Sequence, residues 1–220
     1  MRTRTPARIA LYVLLALAAI VFVFPFYFMI VGALQEDPTT TPSGLLPTGG
    51  WTLENFALIN ERVPLLRALL NSVVFTAGVL LGTLAFGLCA GYSLSRLRWR
   101  GRGVLFVVML GVQMVPFQLL MIPLYVQVAG SYGLGDTFAG MILPFFINTT
   151  AVFIFRQFFL ALPEEMFEAA RIDGAGEYRI LFTIVMPLSK PILSTVALWA
   201  IVGHWNSYLD SMYYVNDPDL

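Results

Sequence analysis

Apolar residues in this chain come in long blocks cut by charges, with neither the stripe of an amphipathic helix nor the alternation of a half-buried strand. Ile9 to Leu34 is free of charge for 26 residues, Ala68 to Ser95 for 28, Gly103 to Gly135 for 33, Thr137 to Phe155 for 19 and Pro191 to Leu209 for 19. About 20 apolar residues carry a helix across the hydrocarbon core of a bilayer. Each block therefore predicts one span, near 9–34, 68–95, 103–129, 137–158 and 189–209. The third block holds one span and an outer turn, and Pro116 and Pro123 within it predict a kinked or broken helix.

Arg2, Arg4 and Arg8 ahead of an apolar stretch that ends in Val31-Gly32-Ala33 also fit a secretory leader with a cleavage site. The apolar core of such a leader runs about 7–15 residues, and this block is far longer, so the reading is a retained first helix. The segment from Gln35 to Arg67 is rich in Pro, Gly and Thr as far as Gly50. It then turns amphipathic at Trp51-Thr52-Leu53-Glu54-Asn55-Phe56, whose aromatics suit the membrane interface. The whole chain, 1–220, reads as a single all-α membrane domain.

Composition sharpens this. The chain is 58% hydrophobic and 12% charged, with a mean hydropathy of +0.78, where a soluble domain carries roughly a quarter charged residues. Such a balance excludes disorder and binding to nucleic acid by charge. One cysteine (Cys89) and one histidine (His204) exclude an internal disulfide and a histidine-based metal cluster. The single lysine, Lys190, precedes Pro191 and lacks the Gly-rich stretch of a P-loop. No catalytic residue, cofactor or metal is expected.

Where the charges fall gives the orientation. An amino terminus on the inside places Arg2, Arg4, Arg8, Arg96, Arg98, Arg100, Arg102, Arg156, Arg171, Arg179 and Lys190 in the cytoplasm, leaving Arg62 and Arg67 outside. That satisfies the positive-inside bias, and the opposite orientation inverts it.

The predicted inside loop 162–187 carries the chemistry. Pro163 suits a helix start, and Glu164 and Glu165 complement its positive end. Gly174 and Gly176 end the helix in left-handed conformations, and a second short helix runs from Glu177 toward Val185, stopped before Pro187. Ala169 and Ala170 form a narrow face edged by Glu168, Arg171 and Asp173, a shape suited to docking in a partner's groove. The alternative is a plain amphipathic helix with Met166, Phe167 and Ile172 resting on the bundle.

The spacing Glu168-Ala169-Ala170, three residues, Gly174, nine residues, Ile184, one residue, Met186-Pro187 resembles the signature loop of permease subunits of binding-protein-dependent ABC importers. Met186 stands where that pattern has Leu. Arg156-Gln157-Phe158-Phe159, Arg171-Ile172-Asp173-Gly174-Ala175, Pro187-Leu188-Ser189-Lys190-Pro191, Trp51 to Phe56 and Trp205-Asn206 resemble the carbohydrate-uptake branch, the maltose-type second permease in particular.

The resemblance implies a type I permease bundle whose loop docks on a cytoplasmic ATPase dimer through Glu168, Ala169, Ala170 and Gly174, with Arg171 and Asp173 at the rim. It implies a second permease subunit, an extracytoplasmic solute-binding protein and a multi-pass location in the inner membrane, with membrane lipid around the bundle. It also implies six core spans with both termini inside. The sixth is missing after Asn216-Asp217-Pro218-Asp219-Leu220, and a truncation is the expectation.

Gln113, Gln118 and Gln127 on the Pro-broken span, with Trp205 and Asn206 on the fifth, are candidates to line a sugar pathway, since amides bond hydroxyls and aromatic faces cover sugar rings. Amides that join helices across a bundle are the alternative. Gly78, Gly82, Gly87 and Gly91 read as a close helix contact, within the bundle or against the second permease. A secondary transporter and a non-transporting scaffold are the rival classes. The first is disfavoured because the charge-free apolar runs hold no ionisable side chain of the kind such carriers use other than His204, and the second leaves the loop spacing without a cause.

Overall fold

In a computed structural model the described residues are 5–36 and 50–208. Arg2 and Arg4, the stretch 37–49 and the end 209–220, with Asn216 to Leu220 and the close of the fifth predicted span, lie outside them. The chain divides into two compact units, Met1–Leu66 and Arg67–Leu220.

The first unit holds α1 (Thr5–Leu34) and α2 (Glu54–Arg62). Apolar side chains of α1 are exposed around nearly its whole circumference, which is the surface of a helix solvated by lipid rather than by water. At its end Gln35 pairs with Trp51 in a single antiparallel bridge. Asn55 of α2 donates its Nδ2 to the carbonyls of Ala33 at 3.1 Å and Gln35 at 2.8 Å, satisfying acceptors that the end of α1 leaves open.

The second unit follows the charge boundaries. α3 (Leu65–Arg96) is one uninterrupted helix, its 32 residues long and apolar enough to span by itself, as is Ala7–Leu34 of α1. Three further helix pairs are each bent at a short break, giving up to five spans if each pair is one. The first pair is α4 (Arg102–Gln113) with α5 (Phe117–Tyr125) and its π-helical continuation Val126–Ser131, bent by 94°. Pro116 stands at that break, with no N–H to continue the ladder of α4.

The second pair joins α6 (Phe138–Ile142) and a 3₁₀ turn, Leu143–Phe145, to α7 (Thr149–Leu160), with a bend of 41°. After α8 (Glu164–Ile172) comes the third, bent by 79°. It joins α9 (Glu177–Arg179), a π-helical stretch Ile180–Val185 and α10 (Met186–Leu188) to α11 (Lys190–Trp205).

This last pair corrects one expectation. The helix after Glu177 does not stop before Pro187; it continues through it to Leu188. Proline cannot donate to the turn before it, and its ring crowds the carbonyl four residues back. The π-helical stretch immediately before Pro187 widens the ladder by one residue per turn, which absorbs both effects.

Two buried clusters hold the unit together. One gathers Phe75 and Val79 of α3 with Val128 and Met141. The larger gathers Leu88 and Tyr92 of α3, Ala151, Phe155 and Phe159 of α7, Phe167 and Ala170 of α8, Ile180, Leu181 and Val185, and Val196 of α11. The glycine run of α3 lies against the second helix pair, so the close contact is inside this chain. A Cβ on Gly78 would meet Ile142 at 2.6 Å, on Gly82 it would run into the ring of Phe146, and on Gly91 it would meet the Cβ of Phe155 at 2.6 Å.

Candidate functional site

The loop between α7 and α11 is a helical hairpin built from its sequence with little freedom. Pro163 is the cap residue of α8 with extended backbone, and Glu164 and Glu165 fill the first turn. At the other end Gly174 has φ +76°, donates to the Arg171 carbonyl, and passes the chain to Ala175, which donates to the carbonyl of Ala170. Those two bonds form a Schellman closure, with Gly174 at the left-handed position. Ala175 packs against the cluster that contains Ala170, giving the apolar contact that accompanies this closure. Gly176 does not share the left-handed conformation expected of it; its φ is −72° and ψ 158°, and it starts α9.

Charge ties the hairpin to the bundle. Arg96, the last residue of α3, donates Nε to the Phe159 carbonyl at 3.0 Å and a terminal nitrogen to that of Leu162, and is ion-paired with Glu164. Its guanidinium carbon lies 4.2 Å from the ring centre of Phe167. One side chain thus meets the end of α7, the start of α8 and the core beneath α8, and it is 7% exposed.

A second tie closes the hairpin on itself. Arg171 Nε donates to Glu177 Oε1 at 2.9 Å, while the Tyr92 hydroxyl of α3 donates to Oε2 at 2.5 Å. Burial pushes the Glu177 carboxyl up, but the hydrogen bonds from Arg171 and Tyr92 outweigh it and hold the group below its ordinary value. The Arg171 guanidinium is raised in turn, chiefly by its bond to Glu177.

The predicted docking residues divide. Glu168, Ala169, Arg171, Asp173 and Gly174 are all exposed along α8 and the turn that follows it. Ala170 departs from them: it is 8% exposed and packed into the core. Its methyl points inward because it lies three residues after Phe167, one helical turn along the buried stripe. Of the three residues expected to rest on the bundle in the plainer reading, Phe167 is buried and Met166 half-buried. Ile172 is 86% exposed, an apolar side chain among the charges of α8, and Tyr178 at the start of the next helix is 81% exposed.

The pathway candidates are not brought together as a set. Gln113 and Gln127 line an open groove of about 450 Å³ with Phe117, Asn148, Thr149 and Thr150, and Gln113 donates to the Thr150 hydroxyl. Gln118 is exposed outside that lining. Asn206 turns back to the Val202 carbonyl at 2.8 Å, and Trp205 is exposed at the end of α11.

Sequence reasoning missed Arg96, Tyr92 and Glu177 as hairpin ties and Asn148 to Thr150 as groove residues. The two ties to α3 join positions 68 and 85 residues apart, and no local spacing carries such pairings. Asn148 did carry a signal, as a capping side chain just ahead of α7.

A bundle of apolar helices bent at prolines, with a charged hairpin latched between its last two helix pairs, is the architecture of a multi-pass transport subunit. The chain belongs to the family described as binding-protein-dependent transport system inner membrane component, whose model matches residues 66–218.

Among its relatives is the arabinooligosaccharides transport system permease protein AraQ of Bacillus subtilis (strain 168), 32% identical over 206 residues, 92% of this chain and 73% of that protein. Another is the sn-glycerol-3-phosphate transport system permease protein UgpE of Escherichia coli O1:K1 / APEC, 33% identical over 217 residues, 95% of this chain and 76% of that one. The fold is that of a solved bacterial ABC transporter involved in the import of the acidic polysaccharide alginate. That likeness has a TM-score of 0.86 at 24% identity and covers 100% of this chain and 78% of the other. The chain is therefore an importer permease subunit with a type I fold, and neither the secondary-carrier nor the scaffold reading is favoured.

Proposed function

We propose that this permease works in an ATP-driven importer of a sugar or related polar solute and takes its energy from a separate cytoplasmic ATPase dimer docked on the hairpin 162–187. The exposed hairpin face carries the reading. Glu168, Ala169, Arg171, Asp173 and Gly174 surround the outward side chain of Ile172, a charged rim around an apolar knob. Such a face on a rigid, latched element suits a complementary cleft. Ala170 contributes from within, beside Phe167 on the buried side of α8, in the core that Ala175 packs against.

The amino terminus is cytoplasmic in this reading, since that places eleven of the thirteen basic residues on the hairpin's side. A second permease, different in sequence, completes the pathway, and a solute-binding protein delivers substrate from outside. Solute passes the groove lined by Gln113, Gln127, Asn148 and Thr150, whose amides and hydroxyls match sugar hydroxyls. Access alternates as a rigid-body change of the bundle, biased by ATP binding through the hairpin.

The test is affinity purification of the tagged permease from its own membranes in mild detergent, beside Glu168→Arg. Co-purification of an ATPase and a second permease with the parent, with the ATPase alone lost from the variant, supports the assignment. Normal solute uptake by both Glu168→Arg and Gly174→Pro, correctly inserted, overturns it.

A further inference from the structure

We propose that the turn between α3 and α4 is a binding surface for the headgroups of anionic lipids. This rests on the cytoplasmic placement of the hairpin's side of the bundle. The turn reads Leu97-Arg98-Trp99-Arg100-Gly101-Arg102, and Arg98, Trp99, Arg100 and Arg102 are all exposed. Among the described residues none of these three guanidinium groups is in an ion pair, whereas Arg96 and Arg171 both are. Arg102 spends one bond on the Leu97 carbonyl at 2.8 Å, which turns its guanidinium back toward the turn that carries Arg98 and Arg100.

A fourth basic side chain packs on the first turns of α4. Arg156 of α7 lies over the ring of Phe106, 4.0 Å from its centre, and Phe106 is one helical turn after Arg102 on α4. Its Nε is buried and makes no hydrogen bond among the described residues.

Position selects the occupant. The turn is short and joins two apolar helices, so its charges stay close to the level at which both helices leave the hydrocarbon. Trp99 stands among the arginines with its indole exposed, and its Nε1 donates back to the Ser93 hydroxyl at 3.2 Å. A tethered indole between basic residues, next to helix ends, matches the amphipathic layer where phosphate headgroups and acyl chains meet. An acidic patch of the ATPase is the competing occupant. It would leave the indole, and the apolar faces of α3 and α4 that flank the turn, without a counterpart.

The experiment places the purified permease, with its co-purifying partners, in nanodiscs of phosphatidylcholine carrying a minor fraction of phosphatidylglycerol. The phosphatidylglycerol retained per complex is then measured by mass. Each basic residue at an anionic surface contributes about five-fold to binding, so Arg98→Gln/Arg100→Gln/Arg102→Gln is expected to lower retention at least ~10-fold with the ATPase still bound. Arg98→Lys/Arg100→Lys/Arg102→Lys should retain the lipid, and raised salt should release it from the parent.

Equal retention by the glutamine variant overturns the proposal. So does loss of the ATPase with lipid retention intact, which would assign the turn to the ATPase. If the glutamine variant fails to insert, the salt titration of the parent decides: retention of phosphatidylglycerol that ignores salt rejects an electrostatic headgroup site. Loss of the hairpin assignment alone, read as ATPase still bound to Glu168→Arg, leaves lipid retention unchanged.

Discussion

Two single residues set how firmly the hairpin is closed. Gly174 holds φ +76°, and a Cβ there would meet nothing within 4 Å, so a side chain costs backbone strain alone. Gly174→Ala should destabilise the hairpin by about 1–2 kcal/mol. Gly174→Asn should recover part of that, because asparagine tolerates the left-handed region. Amide exchange at Ala175, which donates to Ala170, reads the difference; equal exchange in all three would contradict the closure described above. Glu177 gives a pH dependence. Its carboxyl lies below its ordinary value, so its ties are fully present at neutral pH and weaken as pH falls through that lowered value. The protection of the hairpin amides against exchange, relative to unstructured peptide at the same pH, should fall as the solution is acidified below the ordinary glutamate range, and Glu177→Gln should remove that acid response while loosening the hairpin at neutral pH.

At the scale of elements, glycine acts through neighbours rather than through its own freedom. In a helix interior Gly→Ala ordinarily stabilises by about 0.5–1 kcal/mol. Gly111 of α4 has open space around it and should follow that rule. Gly91 of α3 should reverse it, because a methyl there meets the Phe155 Cβ at 2.6 Å and the backbone nitrogen of Arg156 at 3.1 Å. Forcing α3 from α7 should cost about 1–3 kcal/mol. Thermal unfolding in detergent should move in opposite directions for the two variants.

The same elements explain what the sequence made legible. Charge-free blocks marked the helices, because a charge inside lipid is too costly to be placed there casually, and Pro116 marked its bend. The glycine spacing announced a close contact but could not say with which helix; that answer needed Ile142 of α6, Phe155 of α7 and Phe146 of the link between them. Pro187 misled as a stop signal because the π-helical stretch before it is a property of the backbone ladder, and Ile180 to Val185 are residues any helix would accept.

For the whole molecule, if an ATPase docks on the hairpin as proposed, the energy it delivers there has to reach the helices, and Arg96 is a narrow connection between them. It bonds the carbonyls of Phe159 and Leu162 at the end of α7, pairs with Glu164 and covers Phe167, all from the last residue of α3. Arg96→Met keeps the apolar stem over Phe167 and removes every donor, which should loosen the hairpin from α3 and α7 by about 2–3 kcal/mol, the scale of charged hydrogen bonds. The outward face of Glu168, Ala169, Ile172 and Asp173 does not involve Arg96, so the ATPase should still co-purify with the variant. ATP hydrolysis should then continue while solute uptake in proteoliposomes falls at least ~10-fold, the effect of about 1.4 kcal/mol lost from the transmitted bias. Glu164→Gln should be milder, since its side chain is half exposed and the carbonyl bonds of Arg96 remain. Uptake that keeps pace with hydrolysis in Arg96→Met would mean that the hairpin moves the bundle through its buried core of Phe167, Ile180 and Val185 and needs no latch. Loss of the ATPase from Arg96→Met would instead place the latch within the docking surface.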